Sequence, residues 1–360
     1  MLNALLPIAQ QFASSVSAIT PLGNGLINDT YRVASASSPF VLQRINRTVF
    51  PAPEYIMANL ATLNRHIAQK NPASVKLQIP ELLKTRDNKL LYQHENGDCW
   101  RALSFIADSE SIESIGTANE AEQAGLMLGH FHRLISDLNP ALLHDTLPGF
   151  HITPDYLQYY HQIERQAVNV DEQYCADFIA RFEFIAADLE TAKRQGLLPL
   201  RVIHGDPKLN NFLFDQRSRK IVSLIDLDTV KPGLVHYDIG DCLRSCCYRN
   251  DPAAFDLAVC SALLGSYLSE ARAFFSEHDY HYLYPAIRLI PFELGLRFYS
   301  DYLQGNRYFK VTEAHQNLRR AADQFRLCAS IMAQEQAIKD LISRLRTHIS
   351  SSPAVSQQHF

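Results

Sequence analysis

The stretch Ile203-His204-Gly205-Asp206-Pro207-Lys208-Leu209-Asn210-Asn211-Phe212-Leu213-Phe214 sets an aspartate five residues ahead of an asparagine. A short polar turn follows, and then Ile221-Val222-Ser223-Leu224-Ile225-Asp226-Leu227-Asp228, an apolar strand that delivers further carboxylates. Metal-assisted phosphoryl transfer from ATP needs this set, because it asks for positioning and charge neutralisation rather than covalent chemistry. Asp206 would accept a hydrogen bond, and late in the reaction a proton, from the acceptor hydroxyl. Asn211 would give a neutral oxygen to one Mg2+, and Asp226 a carboxylate between metal and phosphates. Magnesium takes few ligands from protein when phosphates supply the rest. Asp228 reads equally as a further metal ligand or as a turn cap, and His204 as a brace for the loop. A hairpin whose polar residues only cap turns is the competing explanation. The apolar flanks and the strand-borne Asp226 favour the chemistry.

Near the N-terminus, Gly23-Asn24-Gly25 lies between strand-like segments. Such a turn lets backbone N–H groups approach phosphates, although the same residues also make an ordinary hairpin. Thr30 stands in the next segment. Phe40-Val41-Leu42-Gln43-Arg44-Ile45 reads as the third strand, where a kinase carries the lysine that grips the phosphates. Gln43 occupies that place with Arg44 beside it. Successive side chains face opposite ways, so only one of them can meet the nucleotide. The usual lysine–glutamate pair is therefore in doubt, with Glu54 the candidate partner. After Trp100, the run Arg101 to Ile106 is where the chain should cross between lobes, with the backbone of Phe105 to Ala107 pairing with adenine.

The order of Gly-rich turn, short strand, hinge, His-Gly-Asp loop and Ile-Asp strand resembles the aminoglycoside phosphotransferase and choline kinase superfamily. Gly205 stands where protein kinases carry an arginine, and no Ala-Pro-Glu segment follows Asp226. The resemblance implies an α+β, protein-kinase-like fold of two lobes. Residues 1–104 would form a small β-rich lobe, residues 105–350 a larger helical one, and residues 351–360 a frayed tail. Within the superfamily, several stretches resemble the N-acetylhexosamine 1-kinases. They are Asn28-Asp29-Thr30-Tyr31, Lys208-Leu209-Asn210-Asn211, Asp238-Ile239-Gly240-Asp241-Cys242-Leu243-Arg244 and Glu293-Leu294-Gly295-Leu296-Arg297-Phe298. Gln43 in the lysine place is shared with that group. The resemblance implies transfer of the ATP γ-phosphate to the anomeric hydroxyl of GlcNAc or GalNAc, with Asp206 as base and Arg297 and Tyr308 on the sugar. One mismatch bears on the sugar: Leu26 stands where those kinases carry a histidine. Another small hydroxyl acceptor (an aminoglycoside, homoserine, choline or a different sugar) and a nucleotide-binding pseudokinase are the alternatives.

Composition fits two lobes with a sizeable core: 360 residues, 47% hydrophobic, net charge −4. No basic stripe suggests nucleic acid, and no apolar run approaches a membrane span. The cysteine count of 7 includes no C-x-x-C pair, and reduced thiols suit the cytoplasm. Cys242 and Cys246 share a helical face and read as small core residues. The first basic residue is Arg32, which speaks against a secretory leader. Asp238 and Asp241 read as braces of the catalytic loop, and Glu293 and Arg297 as an intrahelical ion pair. Helices are expected over 54–69, 121–138, 156–195, 255–275 and 287–303, one long helix or a pair over 314–348, and short strands at 77–79 and 89–92. The oligomeric state is open.

Overall fold

In the computed structural model, which describes residues 2–23, 27–250 and 252–351, the first lobe is an antiparallel sheet. Its strands run in the order Val16–Pro21, Asp29–Ser35, Phe40–Ile45, Cys99–Ser104 and Leu82–Leu83, with Tyr92–Gln93 also on Cys99–Ser104. Strand alternation sorts the residues. Phe40 and Leu42 bury against Val33, Trp100, Ala102 and a short helix, Leu2–Ala9, that sequence reading did not anticipate. Ile45 turns the other way, into the core shared with the second lobe. The helix Pro53–Ala68, close to the expected 54–69, opens with proline at its first turn, where the missing N–H is no loss. It buries Ile56, Leu60 and Leu63. Asn59 on the same helix bonds the carbonyls of His144 and Val230 at 2.8 and 2.9 Å, tying the lobes together.

The second lobe is helical. Ala118–Leu134 begins with a capping box, Thr117 and Glu120 each bonding the other's backbone N–H. It packs on Leu257–Ala271 at a spacing that only glycine permits: a Cβ on Gly125 would overlap the carbonyl of Leu263, and one on Gly129 would sit 2.8 Å from that of Tyr267. Gly125→Ala is therefore expected to destabilise the protein by about 3 kcal/mol, because backbone cannot yield as a side chain does. A melting temperature equal to that of the parent protein would refute this packing. Leu283–Leu303 runs through the lobe with Pro291 inside it. Gln316–Ala333 and Glu335–Ser351 form a pair, the second of the two arrangements expected for this stretch.

The region expected as one helical stretch, 156–195, is divided into Thr153–Ile163, Val170–Phe182 and Asp188–Arg194. Residues 77–79 make no strand. Among the described residues only Gln78 bridges, to Ser223, with its N–H on the Val222 carbonyl at 2.8 Å. All seven cysteines are buried and free. The sulfurs of Cys242 and Cys246 lie 3.9 Å apart, as core neighbours. No helix among the described residues is long and apolar enough to cross a membrane. The tail beyond residue 351 lies outside the described residues.

Candidate active site

The catalytic loop hangs between two antiparallel pairs. Arg201–Ile203 leads into it and pairs with Lys231–Gly233, while Phe212–Asp215 leads out of it and pairs with Ile221–Leu224. Gly205 adopts φ +90°, and a Cβ there would lie 2.7 Å from the carbonyl oxygen of Thr229. Glycine is required on both counts. Asp238 accepts the backbone N–H groups of His204 and Gly205 at 2.7 and 2.8 Å and bonds His132 at 2.8 Å. Burial would raise its carboxyl, but His132 and His204 outweigh it and hold the group below the usual carboxylate range. His204 is wholly buried. Burial holds its imidazole below the usual range, and as the neutral ring it donates from Nε2 to the carbonyl of Ile225 at 3.0 Å and accepts the Asp206 N–H at Nδ1, 3.2 Å away. The structure thus has Asp238 and His204 bracing the loop. Asp241 instead pairs with Arg244 at 2.8 Å and keeps Oδ2 buried without a partner.

A second brace was invisible in the sequence. His151, in a left-handed conformation (φ 68°), bonds the Gly205 carbonyl at 2.7 Å and Glu293 at 2.9 Å. Thr153 also donates to Glu293, at 2.7 Å. Burial opposes charge on both members, yet their attraction prevails: the imidazole is held above its usual range and the Glu293 carboxyl below its own. Glu293 was expected to pair along its helix with Arg297; its oxygens go to His151 and Thr153, because the loop carbonyl needs a held donor.

Asp206 and Asp226 open into the cleft between the lobes. Lys208 forms an ion pair with Asp206. Burial works against its charge, but Asp206 and Asp226 hold the ammonium above its ordinary range. Asn211 donates its amide to the Asp206 carbonyl at 2.7 Å, a bond that leaves Oδ1 uninvolved. Asp226 sits at φ 64° after the strand, its side chain exposed to the cleft beside Asp228, Lys208 and Asp206. Burial first, then Asp228 and Asp206, push its carboxyl up to about 6 despite Lys208. A carboxylate so crowded by negative charge is a place that wants a cation. Among the described residues no group of three or more His, Cys, Asp or Glu could hold a metal alone. Asn211 and Asp226 therefore fit Mg2+ only with phosphate oxygens completing the shell.

On the nucleotide side, Gly23 has φ 69°; Asn24, Gly25 and Leu26 lie outside the described residues. Arg44 faces outward, bonding Asp29 at 2.9 Å and Asp98 at 3.3 Å. Gln43 faces the cleft, donating to Thr30 at 3.0 Å and accepting from Arg101 at 2.7 and 3.0 Å. Glu54 is exposed at the start of its helix and gives Gln43 no partner. Asp228, expected as a metal ligand or a cap, is 2% exposed and has both oxygens engaged, one by Arg101 and one by Asn28 at 2.8 Å. Phe105 and Ala107 follow the last long strand at the crossing between lobes, with Arg32 stacked 5.0 Å over the Phe105 ring.

Where the acceptor is expected, Arg297 is ringed by Phe150, Tyr156, Phe309 and Tyr308 at 4.9, 5.2, 5.5 and 5.8 Å. The charges of Glu293 and Asp206 both reach it. Tyr308 is carried on a loop folded around Asp301, which accepts the N–H groups of Arg307, Tyr308 and Phe309 at 2.8 to 3.0 Å. Sequence reading missed Arg101, Lys208, His151 and the ring residues Phe150 and Tyr156. Only Lys208, two residues after Asp206, left a signal.

The family model described as phosphotransferase enzyme family (APH) matches residues 18–275. Among solved structures, a microcompartment-associated aminopropanol kinase superposes with a TM-score of 0.65 at 18% identity, covering 93% of this chain and 98% of that one. An aminoglycoside phosphotransferase from Alicyclobacillus acidocaldarius gives 0.63 at 14% identity, with 96% of each chain covered. A spectinomycin phosphotransferase in complex with ADP and spectinomycin gives 0.58 at 15%, with 93% and 99% covered. At these identities the likeness is one of fold.

Proposed function

The chain belongs to the phosphotransferase enzyme family, and from that premise we propose that it transfers the γ-phosphate of ATP to the anomeric hydroxyl of an N-acetylhexosamine, giving the sugar 1-phosphate and ADP. The observation that carries the transfer is the meeting of Asp206, Lys208, Asn211 and Asp226 at one cleft. ADP in the related spectinomycin phosphotransferase supports an adenine nucleotide as donor. Asn211 and Asp226 would hold Mg2+, which when bound neutralises phosphate charge. Asp206 orients the acceptor hydroxyl. As its oxygen bonds to the γ-phosphorus and the bond to the ADP oxygen breaks, the hydroxyl proton passes to Asp206. Lys208 faces the phosphoryl group in transit, and Asp238 and His151 hold the loop still.

The acceptor side supports a neutral sugar. Arg297 places a cation, walled by rings, within reach of Asp206. An amine acceptor such as aminopropanol would meet like charge there, whereas a sugar hydroxyl or acetamide oxygen would accept from the guanidinium. The sequence stretches shared with N-acetylhexosamine 1-kinases, Arg297 and Tyr308 among them, point the same way. The test is ADP release with Mg·ATP across N-acetylhexosamines, plain hexoses, amino sugars, homoserine, choline and aminoglycosides, with Asp206→Ala as blank. Turnover with GlcNAc or GalNAc and loss of the reducing end supports the reading. Turnover with another acceptor discards the sugar but keeps the kinase, and ATP binding without turnover on the whole panel favours a pseudokinase. Arg297→Leu is expected to raise the acceptor KM by about 10-fold, the loss of one charged hydrogen bond, and to leave the ATP KM alone. An unchanged acceptor KM would remove Arg297 from the site.

A further inference from the structure

Kinases of this architecture grip the phosphates with a lysine on the third strand, and here that position holds an amide, Gln43. Arg44 cannot substitute, because it is spent on Asp29 and Asp98 on the outer face. A cation nonetheless reaches the place, from one strand over. Arg101 stands directly opposite Gln43 in the pairing of Phe40–Ile45 with Cys99–Ser104, and opposed residues of an antiparallel pair project from the same face.

The neighbours of Arg101 fix its aim. Gln43 turns its amide nitrogen to Thr30 and its oxygen to Nε and Nη2 of Arg101. Nη2 also meets Asp228, whose other oxygen is taken by Asn28. Asp226, at the floor of the cleft, is close enough to feel the Arg101 charge. Gln43, Asn28 and Asp228 are thus engaged, whereas among the described residues Nη1 of Arg101 is buried without a partner, on a side chain only 1% exposed. A buried donor left unmade costs about 1–3 kcal/mol, and a guanidinium edge matches a phosphate oxygen better than any neutral group.

We propose that Arg101 supplies the phosphate-binding charge that a lysine on the third strand would otherwise supply, with Gln43 acting as its positioning residue and Nη1 as the atom that meets the ATP phosphates. The assignment rests on the phosphotransferase reading above. It also gives Gln43 a function: a lysine there would repel Arg101, whereas an amide can hold it.

The experiment compares direct binding of ATP and of adenosine, by calorimetry in the presence of Mg2+, for the parent protein, Arg101→Met and the double variant Arg101→Met with Gln43→Lys. In the parent, ATP should bind more tightly than adenosine. Arg101→Met should cut ATP affinity by about 10-fold or more, the loss of a charge-assisted contact, while adenosine binding holds. Held adenosine binding also shows that the variant is folded. The double variant should regain most of the loss, because the charge is restored from the third strand. Arg101→Met that keeps the parent's preference for ATP overturns the proposal, and so does a double variant no better than Arg101→Met. If Arg101→Met does not fold, the double variant decides by the same comparison. A parent protein that binds neither ligand would instead overturn the phosphotransferase reading and this assignment with it.

Discussion

Asp206→Ala is expected to lower kcat by about 10³-fold while nucleotide binding survives. The Asp206 backbone carbonyl, which the substitution keeps, holds Asn211 at 2.7 Å, while the carboxylate that is lost meets Lys208 and, more loosely, the Asn211 amide at 3.5 Å. Removing the carboxylate takes away the group that orients the hydroxyl and receives its proton, but leaves Asn211 and Asp226 in place. The loop should also hold, since Asp238 and His151 secure it through the backbone of His204 and Gly205. Single-turnover kinetics together with nucleotide titration separate the two effects. A variant with near-normal kcat would end the mechanism, and one that lost ATP binding as well would show Asp206 to be structural.

Asp226→Asn should abolish the Mg2+ dependence of nucleotide binding, and it should stabilise the metal-free protein. The second outcome follows from the sign of the shift. In the unfolded chain this carboxyl ionises near the ordinary aspartate value of about 3.8, and in the folded protein it is pushed up to about 6, by burial first and then by Asp228. Between those values the folded state keeps a proton that the unfolded state has lost, so stability falls as pH rises through that window. At pH 7 an amide escapes this penalty, and below about pH 4 there is none to escape. Because the side chain opens to cleft water, the gain should be small, about 1–3 °C in Tm at pH 7, and absent at low pH. With Mg·ATP the order should reverse, since only the parent protein gains from the metal. Melting curves at the two pH values, with and without Mg·ATP, test both claims. An active variant indifferent to magnesium, or one that melts below the parent when metal-free at pH 7, would contradict the role.

The relation between these residues and the linear chain is uneven. Asp206, Asn211 and Asp226 are legible because phosphoryl transfer needs them at fixed short intervals on one loop and the strand after it. The local backbone sets that spacing whatever surrounds it. The helix near residues 53–68 and the paired strands are legible for the same reason, from side-chain period alone. Asp228 shows where this stops: spacing made it a candidate metal ligand or turn cap, but burial beside Arg101 and Asn28 occupied both its oxygens.

By itself, then, the sequence pointed to the reaction type and to Asp206, Asn211 and Asp226 as its candidate residues, because their spacing depends on neighbours along the chain, and its resemblance to known kinases implied the two-lobed architecture. Only the tertiary structure decided what supports them. Arg101 lies 58 positions from Gln43 and 127 from Asp228, and Glu293 lies 142 from the histidine it holds. A buried charge or carbonyl must find its partner wherever strand pairing and lobe contact bring one, and no pattern along the chain records that meeting.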